Sequence, residues 1–303
     1  MSIGRQTLRS AYKIICDKGA TSRKELAELL NISEVSAGKT VSELTHAGII
    51  SEVRGELNGR STVLFTANPQ KNILLIDACR TNIAFALTSP AAKVDSIIKL
   101  PHLPLLDIDR NLTVAASDIV NFLHRRSVTP DVVAVAYAPV SPYPIKPLLS
   151  YALTERGINI DLLTSGSVAA CEYCSSLCND GEDFSFTQVN ALMWGCISSC
   201  PEKMLEWSRV KVGNNHGESI GSVLSYDTDP NHLLIYFKRF FATVEGVVNT
   251  KRNFISSTFL PKDMLNTLCS EINVEDLSAS LPIMNGLFSF AKDILFDKIF
   301  FGK

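Results

Sequence analysis

The sequence predicts a mixed α/β fold in which a small helical head, closed by a β-hairpin, is carried on a larger α/β body. Three observations predict it. Residues 5–47 hold three apolar stripes at helical spacing, separated by capping residues. Residues 50–65 change to short apolar runs around Asn58-Gly59, a pair that favours a tight hairpin turn. Residues 72–99 place two further apolar runs on either side of a polar turn, as a hairpin that opens a sheet does.

A chain of 303 residues is long enough for two or three domains. With 46% hydrophobic and 20% charged residues it can bury a core, which excludes a disordered chain. The net charge of −2 excludes binding of polyanions by bulk charge. The charge is uneven, however: residues 1–70 carry nine Lys or Arg against seven Asp or Glu, and the remainder twenty against twenty-four. A head of +2 on a body of −4 fits a module that meets phosphate joined to one that does not. The start, MSIGRQTLRSAYKII, has no long apolar leader, and no apolar run reaches the roughly 18 residues of a membrane span. The expected setting is the cytoplasm with no membrane partner, where the eight cysteines stay as thiols.

In the first helix, RQTLRSAYKIICDK, Leu8, Ala11, Tyr12, Ile15 and Cys16 recur at helical spacing, and Gly19 ends it. Thr21 or Ser22 caps the second helix, RKELAELL, with Glu25 placed for a capping box and Leu26, Leu29 and Leu30 facing inward. Asn31-Ile32-Ser33 makes a turn. Ser33 caps a third helix that runs to Gly48, with Val41, Leu44 and Ala47 as its inner stripe. A short helix, a three-residue turn and a capped third helix have the spacing of a helix-turn-helix. Two strands follow, Ile50–Val53 and Val63–Phe65, and a hairpin in that place is a wing.

Such a third helix enters the major groove of double-stranded DNA. Its first two turns expose Glu34, Ser36, Lys39 and Thr40, with Ser33 at the cap, and Lys39 is the candidate for a guanine or phosphate contact. Arg23, Lys24 and Arg60 are placed as phosphate anchors, and Arg54 and Arg60 flank the wing tip. The alternative is that the winged module binds protein.

In the body, Asp77 closes the first strand, followed by Ala78-Cys79-Arg80-Thr81-Asn82. Here the chain resembles the ROK family of repressors, open reading frames and sugar kinases, which opens its body with Asp-x-Gly-Gly-Thr-Asn. The likeness begins in the head, where TSRKELAELLNISEVSAGKTVSELTHAGII, the NGRS of the wing and the Asn68-Pro69 junction resemble the family's repressors. It continues through VVAVAYAPVSP (132–142), which keeps Pro139, and TSGSVAACEY (164–173). In the latter, Ser165 stands where the kinases have the aspartate that removes the sugar hydroxyl proton. ALMWGCISSC keeps only Gly195 of a glycine-rich phosphate strand, and HGESIGSV (216–223) resembles a sugar- and metal-holding segment with Ser219 and Ser222 replacing its Glu and His. The family's zinc cysteines are absent, ATVEGVVNTKRNFISSTFL ends its strand in Ser256-Ser257 instead of two glycines, and IMNGLFSFAKDILF matches the terminal family helix that packs back on the first lobe.

The resemblance implies an N-terminal winged helix-turn-helix (residues 1–68) on a two-lobed actin-like ATPase (ribonuclease H-like) body. The lobes are residues 69–163, with 284–303 returning to them, and 164–283. It implies a candidate effector cleft at Asp77, Thr81, Ser165, Ser167, His216 and Glu218 for a sugar or sugar derivative, and a homodimer. A serine is no carboxylate base near neutral pH, and phosphoryl transfer needs backbone amides on phosphate, Mg²⁺ and a positioned base. A non-catalytic body without cofactor or metal is therefore expected, in a transcriptional regulator that represses. An active kinase and an architectural partner-binding module are the other classes.

Cys171, Cys174 and Cys178 lie on one helix face and Cys196 and Cys200 four apart, as a buried apolar face or as a metal site. LPHLPLL (100–106) reads as a connector. PVSPYPIKP (139–147) reads as a rigid loop beside the cleft.

Overall fold

The computed structural model describes residues 4–57, 59–79, 83–100, 108–138, 145–179, 182–189, 193–198, 204–209, 235, 238, 241, 251–257 and 260–302. The head opens with α1 (Arg5–Lys18), which buries Leu8, Ala11, Tyr12 and Ile15 and ends at Gly19 with φ 76°. A short strand β1 (Thr21–Ser22) follows. The Ser22 hydroxyl then accepts from Glu25 N at 3.2 Å and caps α2 (Arg23–Leu30). The Glu25 carboxylate does not return to the cap, because Lys18 takes it in an ion pair. Leu29, expected inside, is 48% exposed, so the inward stripe of α2 is Leu26 and Ala27, with Leu30 partly buried against the same core as expected.

Asn31 turns the chain in the left-handed region, and Ser33 caps α3 (Glu34–His46) by accepting from Ser36 N at 3.2 Å. The hairpin β2 (Ile50–Leu57) and β3 (Arg60–Ala67) is antiparallel from Ile50↔Ala67 to Leu57↔Arg60, and Gly59 supplies the positive φ at its tip. It is longer than its apolar runs suggest: its outer part stands in solvent with Glu52, Arg54 and Glu56 exposed, so no buried face writes an alternation there. β1 pairs with β3, and the order is that of a winged helix-turn-helix.

Among the described residues the body holds two five-stranded sheets. The first contains β4 (Ile73–Ala78), β5 (Ala84–Thr88), β6 (Ile98–Lys99), β7 (Val132–Tyr137) and β8 (Leu162–Ser165), in the order β6-β5-β4-β7-β8. The second contains β9 (Phe184–Val189), β10 (Met193–Ser198), β11 (Met204–Arg209), β12 (Arg252–Ser257) and β13 (Val274–Asp276), in the order β11-β10-β9-β12-β13. In each, the first three strands are antiparallel neighbours and the last two run parallel to the first. The lobes are therefore copies of one topology. α4 (Ile108–Arg126) and α5 (Ile145–Thr154) cover the outer face of the first sheet, and α7 (Lys262–Ile272) that of the second.

Between the sheets lie α6 (Gly166–Leu177) and α8 (Pro282–Phe301). One core joins Ile73, Leu75 and Ala134 of the first sheet and Phe184, Phe186 and Phe254 of the second to Ala169, Met284 and Leu287 of the helices. The two helices cross in backbone contact: a Cβ on Gly286 would stand 1.7 Å from Ala169 O. The terminal helix thus packs on the first sheet and also touches the second.

Its last turns do something else as well. Phe296 is fully buried in the core of the head with Tyr12, Leu8 and Ile15, and stacks on Tyr12 at 5.8 Å between ring centres. Along the same antiparallel contact, Arg9 pairs with Asp297, Lys13 with Asp293 and Asp17 with Lys292. Exposed pairs are worth about 0–1 kcal/mol each, so the buried ring carries the attachment and the charges set its register. At the other end of the head, Asn68 bonds Gly48 O, and Lys71 and Asn72 N bond the Asp131 carboxylate. Among the described residues the first lobe meets the head through α8 and through Ala91, which packs on the head core, while these bonds fix the linker between them.

Candidate nucleic-acid interface and interlobe cleft

Four residues of α3, Ala37, Thr40, Val41 and Leu44, are buried at i, i+3, i+4 and i+7. This corrects the expectation for Thr40. It is fully buried, its Oγ1 donates to Ser36 O at 3.0 Å, and it belongs to the inner stripe. Sequence pattern counts a threonine as polar, whereas its hydroxyl here is satisfied one turn back along its own helix. The outward face carries Glu34, Val35, Ser36, Lys39, Ser42, Glu43 and His46.

Lys39 is exposed with no ion-pair partner among the described residues. Ser33 and Ser36 are exposed, but their hydroxyls bond each other at 2.9 Å while Ser33 caps the helix, so both are occupied in fixing the first turn. Arg23 and Lys24 are exposed at the start of α2. The Arg23 side chain lies along α3, where a Cβ at Gly38 would stand 3.4 Å from its Nε. Arg54 is exposed on the wing opposite Val63. Arg60 begins β3 at the tip, and its side chain lies outside the described residues. The structure therefore gathers Arg23, Ser36 and Lys39 on one face, with Arg54 on the adjoining hairpin.

Sequence reasoning missed Val35, which is 72% exposed on the first turn of α3. A β-branched apolar residue bared there is the signal that could have found it, since the thymine methyl is the apolar feature of the major groove.

In the body, Asp77 sits at the C-terminal end of β4, 1% exposed, with Oδ1 accepting from Cys79 N at 2.9 Å. Ser165 ends β8 and caps α6 by accepting from Val168 N at 3.2 Å. β7 lies between them, pairing Ala136 with Asp77 and Tyr137 with Ser165. Both residues thus stand at the C-terminal end of the sheet, two strands apart, with Asp77 level with Thr164 and Ser165 one residue beyond it. Ser167 is fully buried in the first turn of α6.

The topological copy in the second lobe puts Gln188 where the first has Asp77, and Ser256 and Ser257 where it has Ala136 and Tyr137. Gln188 and Ser256 are fully buried, and Ser256 Oγ has no hydrogen-bond partner among the described residues. Ser257 Oγ donates to Val189 O and accepts from Leu260 N, both at 2.9 Å. The cleft floor is thus polar on both sides. Thr81, His216 and Glu218, with Ser219 and Ser222, lie outside the described residues, as do Pro139 and residues 101–107.

Of the cysteines on α6, Cys174 is fully buried and its thiol is pushed up by burial. The Cys178 thiol is also raised by burial, against the lowering effect of Arg252. Raised thiols stay protonated, the wrong form for a metal ligand. Among the described residues no three His, Cys, Asp or Glu side chains cluster as a metal site, and no disulfide forms. The side chains of Cys196 and Cys200 lie outside the described residues. No described helix is long and apolar enough to cross a membrane.

No family model and no curated protein sequence matches the chain. Among solved structures, it is similar to a ROK family transcriptional regulator described as a homologue of the E. coli MLC protein. That match has a TM-score of 0.61 at 13% identity, over 97% of this chain and 96% of that one. It is also similar to an inorganic polyphosphate/ATP-glucomannokinase from Arthrobacter sp. strain KM, with a TM-score of 0.54 at 11% identity, over 74% of this chain and 99% of that one. The chain shares the fold of that regulator over 97% of its length, and the kinase matches a smaller share of it.

Proposed function

We propose that the protein is a DNA-binding transcriptional regulator, acting as a repressor, whose kinase-like body is non-catalytic, pairs two copies and takes a small effector. The units of this reading are a DNA-binding head (1–68), a first lobe (69–163 with 284–303) and a second lobe (164–283). The observation that carries it is the outward face of α3. The helix is capped and packed on one side, bares Val35, Ser36 and Lys39 on the other, and has Arg23 and the wing beside it. In this reading Lys39 meets guanine or phosphate, Val35 meets a thymine methyl, and Arg23, Lys24, Arg54 and Arg60 hold phosphates. Two heads related by a two-fold axis present their helices to half-sites about 34 Å apart.

Loss of kinase activity is supported by the first lobe. The Ser165 hydroxyl, where the resembling kinases have their aspartate base, caps α6 and is no carboxylate base. The effector is a sugar or sugar derivative in the cleft at Asp77, Ser165 and Ser167, with Thr81, His216 and Glu218 completing it, in a cytoplasmic protein.

Fluorescence anisotropy of the full-length protein on labelled duplex at rising salt tests the reading. Affinity falls steeply with salt, and Lys39→Ala lowers the slope of log K against log salt by about 1. Absence of binding at low salt, or binding insensitive to salt, sinks it. Gel filtration at micromolar concentration returns a dimer, and a monomer there contradicts the pairing.

A further inference from the structure

The first lobe has a second cavity, at the edge of the sheet opposite the cleft. Its volume is about 270 Å³. It opens where the last turns of α4, the start of β7 and the loop from α5 to β8 meet, and Lys298 of α8 closes one side. Val133, in its wall, lies four residues before Tyr137, so about 13 Å of strand separates it from the cleft edge.

Its chemistry is one-sided. The one carboxylate in the lining, Asp161, is engaged at both oxygens: Oδ2 accepts from Val133 N at 2.9 Å and Oδ1 from Lys298 Nζ at 2.8 Å. The cationic groups are not. Arg156 spends Nε on Ser117 Oγ and one Nη1 hydrogen on Ala152 O, both at 2.9 Å, and has no carboxylate partner among the described residues. That leaves three of its five N–H donors. Lys298 Nζ also donates to Asp131 O at 2.8 Å, which leaves one hydrogen. His124, exposed on the last turn of α4, adds another donor. The lining also holds Val120, Leu123, Val128 and Ile158. Surplus donors in a cavity that also has apolar lining are complementary to an oxyanion on a small apolar body. The C-terminal dipoles of α4 and α5 oppose an anion by only about 0.3–1 kcal/mol each, less than one charge-assisted hydrogen bond returns.

Position gives the cavity a consequence. Lys298 follows Asp297 directly, and Phe296, Asp297, Asp293 and Lys292 are the residues of α8 that hold α1 of the head. A ligand that re-seats Lys298 acts on the same turns of helix that seat the DNA-reading module.

We propose that this cavity binds a small phosphate monoester or carboxylate through Arg156, His124 and Lys298, and that its occupancy changes the DNA affinity of the head through α8. The second half rests on the regulator reading above. Calorimetric titration of the full-length protein with phenyl phosphate and with benzoate tests the first half without DNA. At least one probe binds the wild type, and the affinity falls about tenfold or more in both Arg156→Gln and His124→Gln. The two variants keep the wild-type melting midpoint without probe, which separates lost binding from lost folding. Whichever probe binds tighter identifies the class of anion. No heat with either probe at millimolar concentration, or equal affinity in the variants, overturns the site. The second half is read as a shift in anisotropy midpoint on a duplex the protein binds, with and without the tighter probe. An unchanged midpoint overturns the coupling. If no duplex is bound at all, the regulator reading has failed, while the calorimetry still decides the cavity.

Discussion

Replacing Gly286 with alanine adds one methyl group between two helices whose backbones touch. The new carbon would stand 1.7 Å from Ala169 O, 2.5 Å from Ala169 C and 3.1 Å from Ala169 Cα. Ordinary contact begins near 3.4 Å, so α8 must retreat from α6 by roughly 1.5 Å, and no side-chain rotation relieves it because every obstructing atom is main chain. Alanine gains about 1 kcal/mol over glycine in helix propensity. Overpacking a rigid site costs about 1–3 kcal/mol, and this one lies at or beyond the upper end. The retreat also opens the core on both sides, since Met284, Leu287 and Phe288 of α8 pack in the cluster that the two sheets share. The net expectation is a loss of about 2 kcal/mol or more, which lowers the melting midpoint by about 3 °C or more in a protein of this size. Differential scanning calorimetry on Gly286→Ala reads it directly. A midpoint equal to or above that of the wild type would refute the backbone contact and with it the placement of α8 between the lobes.

Three further expectations follow from the same contacts. Phe296→Ala removes the ring that stacks on Tyr12 and costs about 3–5 kcal/mol, felt first in the head; hydrogen exchange should show α1 losing protection before β4, and uniform loss would contradict the attachment. Burial raises the Cys16 thiol to about 11 from an unfolded value of 9.0, so between those pH values the unfolded chain releases a proton that the folded chain keeps, and stability falls as pH rises by on the order of 2–3 kcal/mol in all. Urea titrations at pH 8, 9 and 10 should show that slope in the wild type and a smaller one in Cys16→Ala, and identical slopes would remove the cause. Thr40→Val should leave DNA affinity within about twofold, because its hydroxyl bonds only its own helix, whereas Lys39→Ala loses about 1–3 kcal/mol; equal losses would put Thr40 back at the interface.

The head was legible because its punctuation is local. Ser22 and Ser33 each accept the amide three residues on, Gly19 takes a positive φ after α1, and Gly59 does so at the wing tip. These signals depend on neighbours within a few residues. The length of the wing did not register because Glu52, Arg54 and Glu56 face water, and Leu29 was misplaced because an apolar residue on a short helix need not be buried.

In the body, the first hairpin was readable from continuous apolar strands such as Ile73–Ala78, buried at every position. The second lobe repeats that topology with FSFTQV and RNFISS, which bury Ser185, Thr187, Gln188, Asn253 and Ser256. Buried polar residues carry no apolar periodicity, whether paired as Ser185 is with Asn253 at 2.5 Å or not, so the repeat is invisible to a pattern reading. The attachment of α1 to α8 was out of reach for another reason: Arg9 and Asp297 are 288 positions apart, and nothing local in either helix marks the other. Asp77 and Ser165 were found only through family resemblance, and the sheet register then placed them at one edge.

Selection of bound duplexes from a random pool, run in parallel with the wild type and Lys39→Ala, tests the central claim most directly. The wild type should enrich a two-fold symmetric sequence with half-sites about one helical turn apart, or a multiple of it, and the variant should not. A pool that stays random at low salt, or the same sequence enriched by both proteins, would contradict it.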